Sequence, residues 1–265
     1  MQDQKPYVRD AGAGPGVVCI HSNASTSSQW RPLMDRLAPS HHVLAPDSLG
    51  AGRSPPWPAD GVVMLQDEVA LLETVFDAAG SPFFLVGHSY GGAVALLAAL
   101  ARPERVRALV VYEPTLFSLL EEEAPGQLAA NGIRSAAADA AAEIDAGRPA
   151  AAGERFIDYW MGAGTWRRMP EPRQASIAAS MGNVGQWSRV LFAEPTPLRA
   201  FRALPVPVLY LVGAESPASS RGVARLLTGV LPQVTVVELA GLGHMGPVTD
   251  PEIVNDRIVD FIGRH

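Results

Sequence analysis

Ser89 is the residue of this 265-residue chain whose surroundings most clearly predict chemistry. It lies in Gly87-His88-Ser89-Tyr90-Gly91, after the apolar run Phe83 to Val86 and before a stretch rich in Ala and Leu. An apolar run predicts a buried strand and Ala and Leu favour a helix, so the serine falls at a sharp strand-to-helix turn. Glycine at both flanks allows a tight turn, which raises the hydroxyl and directs the first helical N–H groups at whatever it attacks. The pattern predicts a nucleophile, and its alternative is a tight turn with a capping serine.

Strand-like and helix-like segments alternate along much of the chain. Apolar runs at 17–20, 42–46, 83–86, 106–111, 204–213 and 234–239 predict strands, and helical patterns occupy 29–37, 65–79, 219–231 and 251–262. Such alternation predicts right-handed crossovers and a mainly parallel sheet. The intervening segment, 115–203, has alanine-rich and acidic stretches and lacks a run typical of a parallel strand.

These features together resemble the α/β-hydrolase superfamily. The resemblance is carried by Gly87-x-Ser89-x-Gly91 with a further glycine at 92, by the Asp-x-x-Gly-x-Gly-x-Ser segment at 47–54, and by a late Gly-x-Gly-His loop at 241–244. It implies a three-layer α/β-hydrolase fold, with a mostly parallel sheet of the eight-stranded type flanked by helices. It further implies a core formed by 1–114 and 204–265, with 115–203 inserted as a helical cap.

The resemblance also implies which residues assist Ser89. His244 occupies the late loop in which the superfamily keeps its catalytic histidine, and is the predicted base. The backbone amides of Asn23 and Tyr90 are the predicted oxyanion hole. Ser22 stands where the superfamily usually has glycine, so the loop backbone is expected to differ there. His21 and Asp47 are expected to have structural roles, as ties for their loops.

The carboxylate is the least determined member of the predicted triad. A serine nucleophile needs a base, and the base needs an orienting carboxylate. The superfamily's usual position, three residues past Gly213, is occupied by Ser216, which carries no charge. The strand-to-helix turn at Ser89 is called the elbow here, and the helix that follows it the elbow helix. Glu113, at the end of the strand after the elbow helix, is another position known in the superfamily and is the favoured acid. Glu215 is kept as the alternative.

A largely apolar substrate pocket is predicted from position along the chain. The sequence contains no cluster of arginines of the kind that would bind an acidic substrate. Small to medium hydrophobic esters, thioesters or lactones are therefore the expected substrates, and the expected enzyme is a carboxylic ester hydrolase (EC 3.1.1). C–C bond hydrolysis or perhydrolysis by the same triad is the alternative reaction. A non-catalytic small-molecule receptor on a hydrolase scaffold is the alternative of another class. The candidate pocket walls are Trp30, Leu116, Trp160, Trp166, Trp187 and Met245.

Composition restricts the partners and the compartment. Hydrophobic content of 48% with 18% charged residues is typical of a globular chain. A net charge of -6 without a basic run argues against nucleic acids and anionic membranes. The single cysteine, Cys19, excludes an intrachain disulfide and a thiolate zinc site, and the expected mechanism needs neither a metal nor a cofactor. The N-terminus has no signal-peptide pattern, so a cytoplasmic protein is expected. The oligomeric state is left open.

Overall fold

The computed structural model describes residues 4–57, 63–123 and 128–265. Its centre is a sheet of seven strands in the order β1-β3-β2-β4-β5-β6-β7, in which only β1 runs antiparallel to its neighbour. The predicted fold class is confirmed, with seven strands in the described residues where the eight-stranded type was expected. The strands are β1 (Val8–Ala11), β2 (Gly16–Ile20), β3 (His42–Pro46), β4 (Phe83–His88), β5 (Val106–Tyr112), β6 (Val208–Gly213) and β7 (Val234–Leu239).

Helices cover both faces of this sheet. Successive side chains of a strand point to opposite faces, and β2 illustrates this, since Val17 and Cys19 join one apolar cluster while Val18 and Ile20 join the other. The helices are α1 (Arg31–Leu37), α2 (Leu65–Leu71), α3 (Glu73–Ala79), α4 (Tyr90–Ala101), α5 (Ser118–Glu123), α6 (Leu128–Asp145), α7 (Pro149–Met161), α8 (Thr165–Arg168), α9 (Glu171–Ala193), α10 (Ala218–Thr228), α11 (Gly246–Thr249) and α12 (Pro251–Ile262).

The segment between β5 and β6 is helical. It contributes α5 to α9, and the described part of 115–203 contains no strand. Helix α7 packs against both α6 and α9, and buried residues of these helices belong to the same apolar cluster as the elbow helix α4. The insertion and α4 therefore share one continuous apolar core.

Local differences from the predicted elements are small. The helix expected over 65–79 is divided into α2 and α3 at Leu72, whose N–H donates to the carbonyl groups of Glu68 and Val69. The helix expected from residue 29 begins with a 3-10 turn, Ser27–Trp30, before α1. Within the described ranges, no helix is both long enough and apolar enough to cross a membrane.

Candidate active site

The turn between β4 and α4 holds Ser89 in a strained conformation. Its φ is 56° and its ψ is -115°, a region that L-residues other than glycine rarely occupy. Its N–H donates to the carbonyl of Tyr112 at 2.9 Å, which ties the turn to the end of β5. A Cβ at position 87 would clash with the carbonyl of Gly91, and a Cβ at position 91 would clash with the carbonyl of Ile20. Both glycines are therefore required by the close approach of backbone that the sequence predicts.

His244 lies against the Ser89 hydroxyl. It follows β7 in a loop, and its Nε2 is 2.9 Å from Ser89 Oγ. Both side chains are almost fully buried, with 5% of Ser89 and 2% of His244 exposed. The late histidine loop and the elbow thus meet at the carboxyl ends of the strands, with the ring nitrogen in range to accept the hydroxyl proton.

Glu113 holds the opposite nitrogen of the imidazole. Its Oε2 is 2.7 Å from His244 Nδ1, and the residue is completely buried. The other oxygen, Oε1, accepts hydrogen bonds from the backbone N–H of Gly213 and from the Ser216 hydroxyl. A carboxylate accepts but does not donate, so Nδ1 carries the proton and Nε2 is free to accept one from Ser89. Glu113 also has a positive φ of 45°, which marks a second strained position in the site.

Of the two candidate acids, the structure brings only Glu113 to the histidine. Glu215 is exposed, and its backbone N–H donates to the carbonyl of Leu242. The turn after β6 directs Ser216 inward to Glu113, so the side chain of its neighbour, Glu215, points to solvent. The expectation for Glu215 as alternative acid is therefore not met, because adjacent side chains leave the backbone in different directions.

The two residues predicted to form the oxyanion hole, Tyr90 and Asn23, lie in the elbow and in the lining of the cavity. Tyr90 is the first residue of α4, and the first N–H groups of a helix have no carbonyl one turn earlier. Its side chain points away, with its hydroxyl donating to Glu68 at 2.9 Å. Asn23 lines the same cavity as Ser89 and His244. In the described residues neither amide has a protein acceptor, and the oxyanion hole formed by these two amides stays a prediction.

A hydrogen-bonded chain that the sequence analysis missed joins the two loops of the site. The Ser22 N–H and hydroxyl both donate to Gln29 Oε1, at 3.1 and 2.9 Å. The Gln29 amide nitrogen is 3.1 Å from His88 Nδ1, and His88 Nε2 is 2.8 Å from the carbonyl of His244. Since a carbonyl only accepts, His88 is protonated on Nε2, and its Nδ1 accepts from Gln29. Burial holds the pKa of His88 well below its ordinary value, so this ring stays neutral.

These hydrogen bonds account for the serine at position 22. Its hydroxyl supplies a hydrogen bond to Gln29 that glycine could not make. The expected structural roles also appear nearby, since His21 Nε2 accepts the Ser48 N–H at 2.9 Å and Asp47 accepts the N–H groups of Ser27 and Arg53. These bonds hold the loops that follow β2 and β3 beside the elbow.

A cavity of about 700 Å³ opens above Ser89. Its floor includes Ser89 and His244, and its walls are mostly apolar side chains of α6, α7 and α9. A volume of this size is typical of small-molecule sites. Two of the six predicted wall residues, Trp160 and Met245, line it.

The other four predicted wall residues lie in the core. Trp30 belongs to the apolar cluster on the opposite face of the sheet, because α1 packs there. Leu116, near the start of the insertion, is buried in the apolar cluster that also contains α4. Trp166 lies against Gly153 of α7, and the Trp187 ring packs against Tyr90 at a centroid distance of 5.5 Å. Position along the chain located the insertion but not the direction of these side chains. The walls instead include Phe117, Ile133, Phe156, Tyr159, Met181 and Phe192.

Comparison with known proteins agrees with the fold. Residues 17–257 match the Alpha/beta hydrolase family, and the chain belongs to that family. Lipase LipV of Mycobacterium tuberculosis is 40% identical over 109 residues, a match that covers 39% of each protein. The 2-(acetamidomethylene)succinate hydrolase of Mesorhizobium japonicum is 27% identical over 96% of this chain and 90% of its own. An alpha/beta hydrolase of Sphaerobacter thermophilus superposes with a TM-score of 0.76 at 25% identity, over 97% of this chain and 95% of that one. Proteins related to this chain are thus hydrolases of several kinds.

Proposed function

We propose that this member of the hydrolase family cleaves carboxylic esters, thioesters or lactones with apolar acyl groups through an acyl-enzyme on Ser89. The observation that carries the proposal is the buried relay in which Ser89 Oγ, both nitrogens of His244 and Glu113 Oε2 are linked by contacts of 2.9 and 2.7 Å. A serine activated by a histidine, which is in turn oriented by a carboxylate, is the arrangement used for acyl transfer on many unrelated folds.

Acylation begins when Ser89 Oγ attacks the carbonyl carbon and His244 Nε2 takes the hydroxyl proton. The oxyanion that forms is stabilised by the amides of Asn23 and Tyr90, each contributing on the order of 3 kcal/mol of barrier reduction. Glu113 stabilises the imidazolium through the Nδ1 proton. The tetrahedral intermediate then collapses as His244 passes its proton to the leaving alcohol or thiol, and the acyl group stays on Ser89.

Deacylation repeats the same steps with water. His244 takes a proton from a water molecule, whose oxygen attacks the acyl carbon. When the second intermediate collapses, the carboxylic acid leaves and Ser89 Oγ recovers its proton from His244. The residues of this chain supply every proton transfer in both halves of the reaction.

The cavity supports an apolar acyl group. Aromatic and aliphatic side chains form most of the walls, and the small residues Ala137 and Ala141 on α6 and Gly182 and Gly185 on α9 leave room between the two helices. The similarity to a protein named as a lipase over part of the chain agrees with this substrate class. The match to 2-(acetamidomethylene)succinate hydrolase over most of the chain makes amide-containing acids a second group to assay.

The test is turnover of p-nitrophenyl esters from acetate to octanoate by the native chain and by Ser89→Ala. We expect the native chain to hydrolyse the series and Ser89→Ala to lose at least about a thousandfold of kcat, since removal of the nucleophile leaves only the residual contribution of the site. An unchanged rate in Ser89→Ala would contradict the proposal. Activity confined to C–C bonds of diketones or to perhydrolysis would assign the same residues to the alternative reaction. No turnover and no covalent labelling by a fluorophosphonate would favour a receptor.

A further inference from the structure

One aromatic side chain of the helical insertion lies directly on the candidate base. The indole ring of Trp160, on α7, stacks on the imidazole of His244 with ring centroids 4.0 Å apart and ring planes inclined by 26°. Trp160 is 6% exposed and His244 is 2% exposed, so protein atoms cover most of both rings. Because α7 lies in the insertion and His244 follows β7, the contact joins two distant parts of the chain.

The position of Trp160 is fixed by its neighbours. The hydroxyl of Tyr159, the preceding residue, is 2.7 Å from Ser219 Oγ on α10. The next residue of α10, Ser220, has its hydroxyl 3.2 Å from His244 Nδ1. On the insertion side, the Phe117 ring lies nearly parallel to the indole at a centroid distance of 6.3 Å. Helix α7 is thus attached to the core beside the histidine that Trp160 covers.

The imidazole has few other ways to gain stabilisation as a cation. Its Nε2 contacts Ser89 and its Nδ1 contacts Glu113 and Ser220, so its faces are the surfaces that remain. An aromatic face attracts a cation through its quadrupole, and tryptophan does so most strongly, above all where water is excluded. At pH values above the acidic limb, the imidazolium forms only when Ser89 loses its proton, so there the attraction acts on the transition state more than on the resting state.

We propose that Trp160 is a positioning residue for His244, which holds the imidazole ring in place and stabilises its cationic form, so that the active site is complete only when α7 is docked. The inference rests on the proposed function, because it assumes that His244 accepts the serine proton. It assigns part of the catalytic apparatus to the insertion, which would otherwise serve only to bind substrate.

The decisive readout is the acidic limb of the pH dependence of kcat/KM, which reports protonation of the free enzyme's base. In Trp160→Leu, an apolar side chain still covers the ring but the aromatic face is gone. Loss of the attraction makes the cation less stable, so we expect the acidic limb to move to lower pH by about one unit and kcat to fall about tenfold. If Trp160 served only as a wall of the cavity, its replacement would change KM and leave the acidic limb at the native pH.

Other charges around the histidine stay constant in this experiment. Trp160→Leu alters none of them, so a shift of the limb is attributable to the ring. The titratable or charged groups around His244 and along the cavity are Glu113 at the end of β5, His88 at the end of β4, Tyr159 on α7, Arg134 and Asp145 on α6, and Arg189 on α9.

Trp166 provides a matched control. It is also a tryptophan of the insertion with 6% exposure, but it packs against Gly153 of α7 and does not line the cavity. We expect Trp166→Leu to leave the acidic limb in place, and Trp160→Phe to give a shift smaller than that of Trp160→Leu. If the limb of Trp160→Leu stays at the native pH or moves to higher pH, the inference is wrong.

Tryptophan fluorescence gives a second readout that needs no substrate. A protonated imidazole in contact with an indole quenches its emission, so native fluorescence should fall as the pH is lowered through the acidic limb. The same change should be absent from Trp160→Phe and from His244→Asn. If Trp160→Phe retains the full change, the stack is not present in solution. If the native chain turns over no ester at all, the proposed function itself fails, whereas native turnover with an unmoved limb in Trp160→Leu refutes this inference alone.

Discussion

Glu113→Gln removes the carboxylate charge below His244 while nearly preserving the shape of the side chain. In the native site, Oε1 accepts two hydrogen bonds from Gly213 and Ser216, and Oε2 lies 2.7 Å from His244 Nδ1. The amide oxygen of the introduced glutamine can still accept the hydrogen bonds from Gly213 and Ser216. Its NH₂ group then faces Nδ1, and the histidine must turn to the tautomer with its proton on Nε2, where it no longer accepts from Ser89.

The expected magnitude follows from the two interactions that are lost. A hydrogen bond to a charged group contributes about 1.5–3 kcal/mol, and a buried donor left without an acceptor costs about 1–3 kcal/mol. Together they amount to roughly 2.5–6 kcal/mol of barrier, which is about two to four powers of ten in kcat. KM should change little, because Glu113 does not line the cavity.

The assay is turnover of p-nitrophenyl butyrate, with the rate of fluorophosphonate labelling as a measure of the nucleophile alone. Glu215→Gln is the matched control, since it makes the same chemical change at the exposed neighbouring acid, and its kcat should stay within about twofold of native. The reasoning would be refuted if Glu215→Gln abolished turnover while Glu113→Gln retained it.

Three further predictions concern neighbouring features. Gln29→Leu breaks the hydrogen-bonded chain between the Asn23 loop and His88, so kcat should fall about tenfold at constant KM, and the melting temperature should also fall because Ser22 and His88 lose buried hydrogen bonds; a change in KM alone would argue for a role in substrate binding. A Cβ at Gly185 would meet no described atom within 4 Å outside the backbone of its own helix, so Gly185→Leu should fill part of the cavity. It should lower kcat/KM for the octanoate ester about tenfold or more and affect the acetate ester little. An equal loss for both esters would show that the cavity does not hold the acyl chain. Burial raises the pKa of Glu68 to about 7. The folded state therefore binds more protons than the unfolded state above pH 4.5. Through this group the free energy of unfolding should fall by about 3 kcal/mol between pH 4.5 and 8. Urea unfolding of Glu68→Gln should show that this part of the pH dependence is lost, and an unchanged slope would disprove it.

The parts of the fold and site that the sequence predicted are those fixed by local rules. The elbow follows from glycines that must lack a Cβ between a buried strand and a helix, and the close backbone contacts at Gly87 and Gly91 are the physical reason for the pattern. Glu113 is favoured from the sequence because the superfamily is known to use that position. The structure supplies the physical reason, since β5 lies beside β4 and the carboxyl ends of parallel strands lie at one edge of a sheet.

The parts that could not be predicted depend on the direction of side chains after packing. Trp30 and Trp160 looked equivalent as candidate walls, yet one lies in the cluster on the opposite face of the sheet and the other on the imidazole. The hydrogen-bonded chain through Gln29 and His88 joins residues from three separate parts of the sequence, and no local pattern connects them. The only signal in the sequence was the departure from glycine at Ser22, which marks the loop but not its partner.

The most direct test of the account is to locate the covalent adduct formed with a fluorophosphonate by peptide mass spectrometry. The account predicts a single adduct on Ser89, formed rapidly by the native chain and much more slowly by His244→Ala. An adduct on another residue, or labelling of Ser89 at the native rate without His244, would contradict the relay of serine, histidine and glutamate.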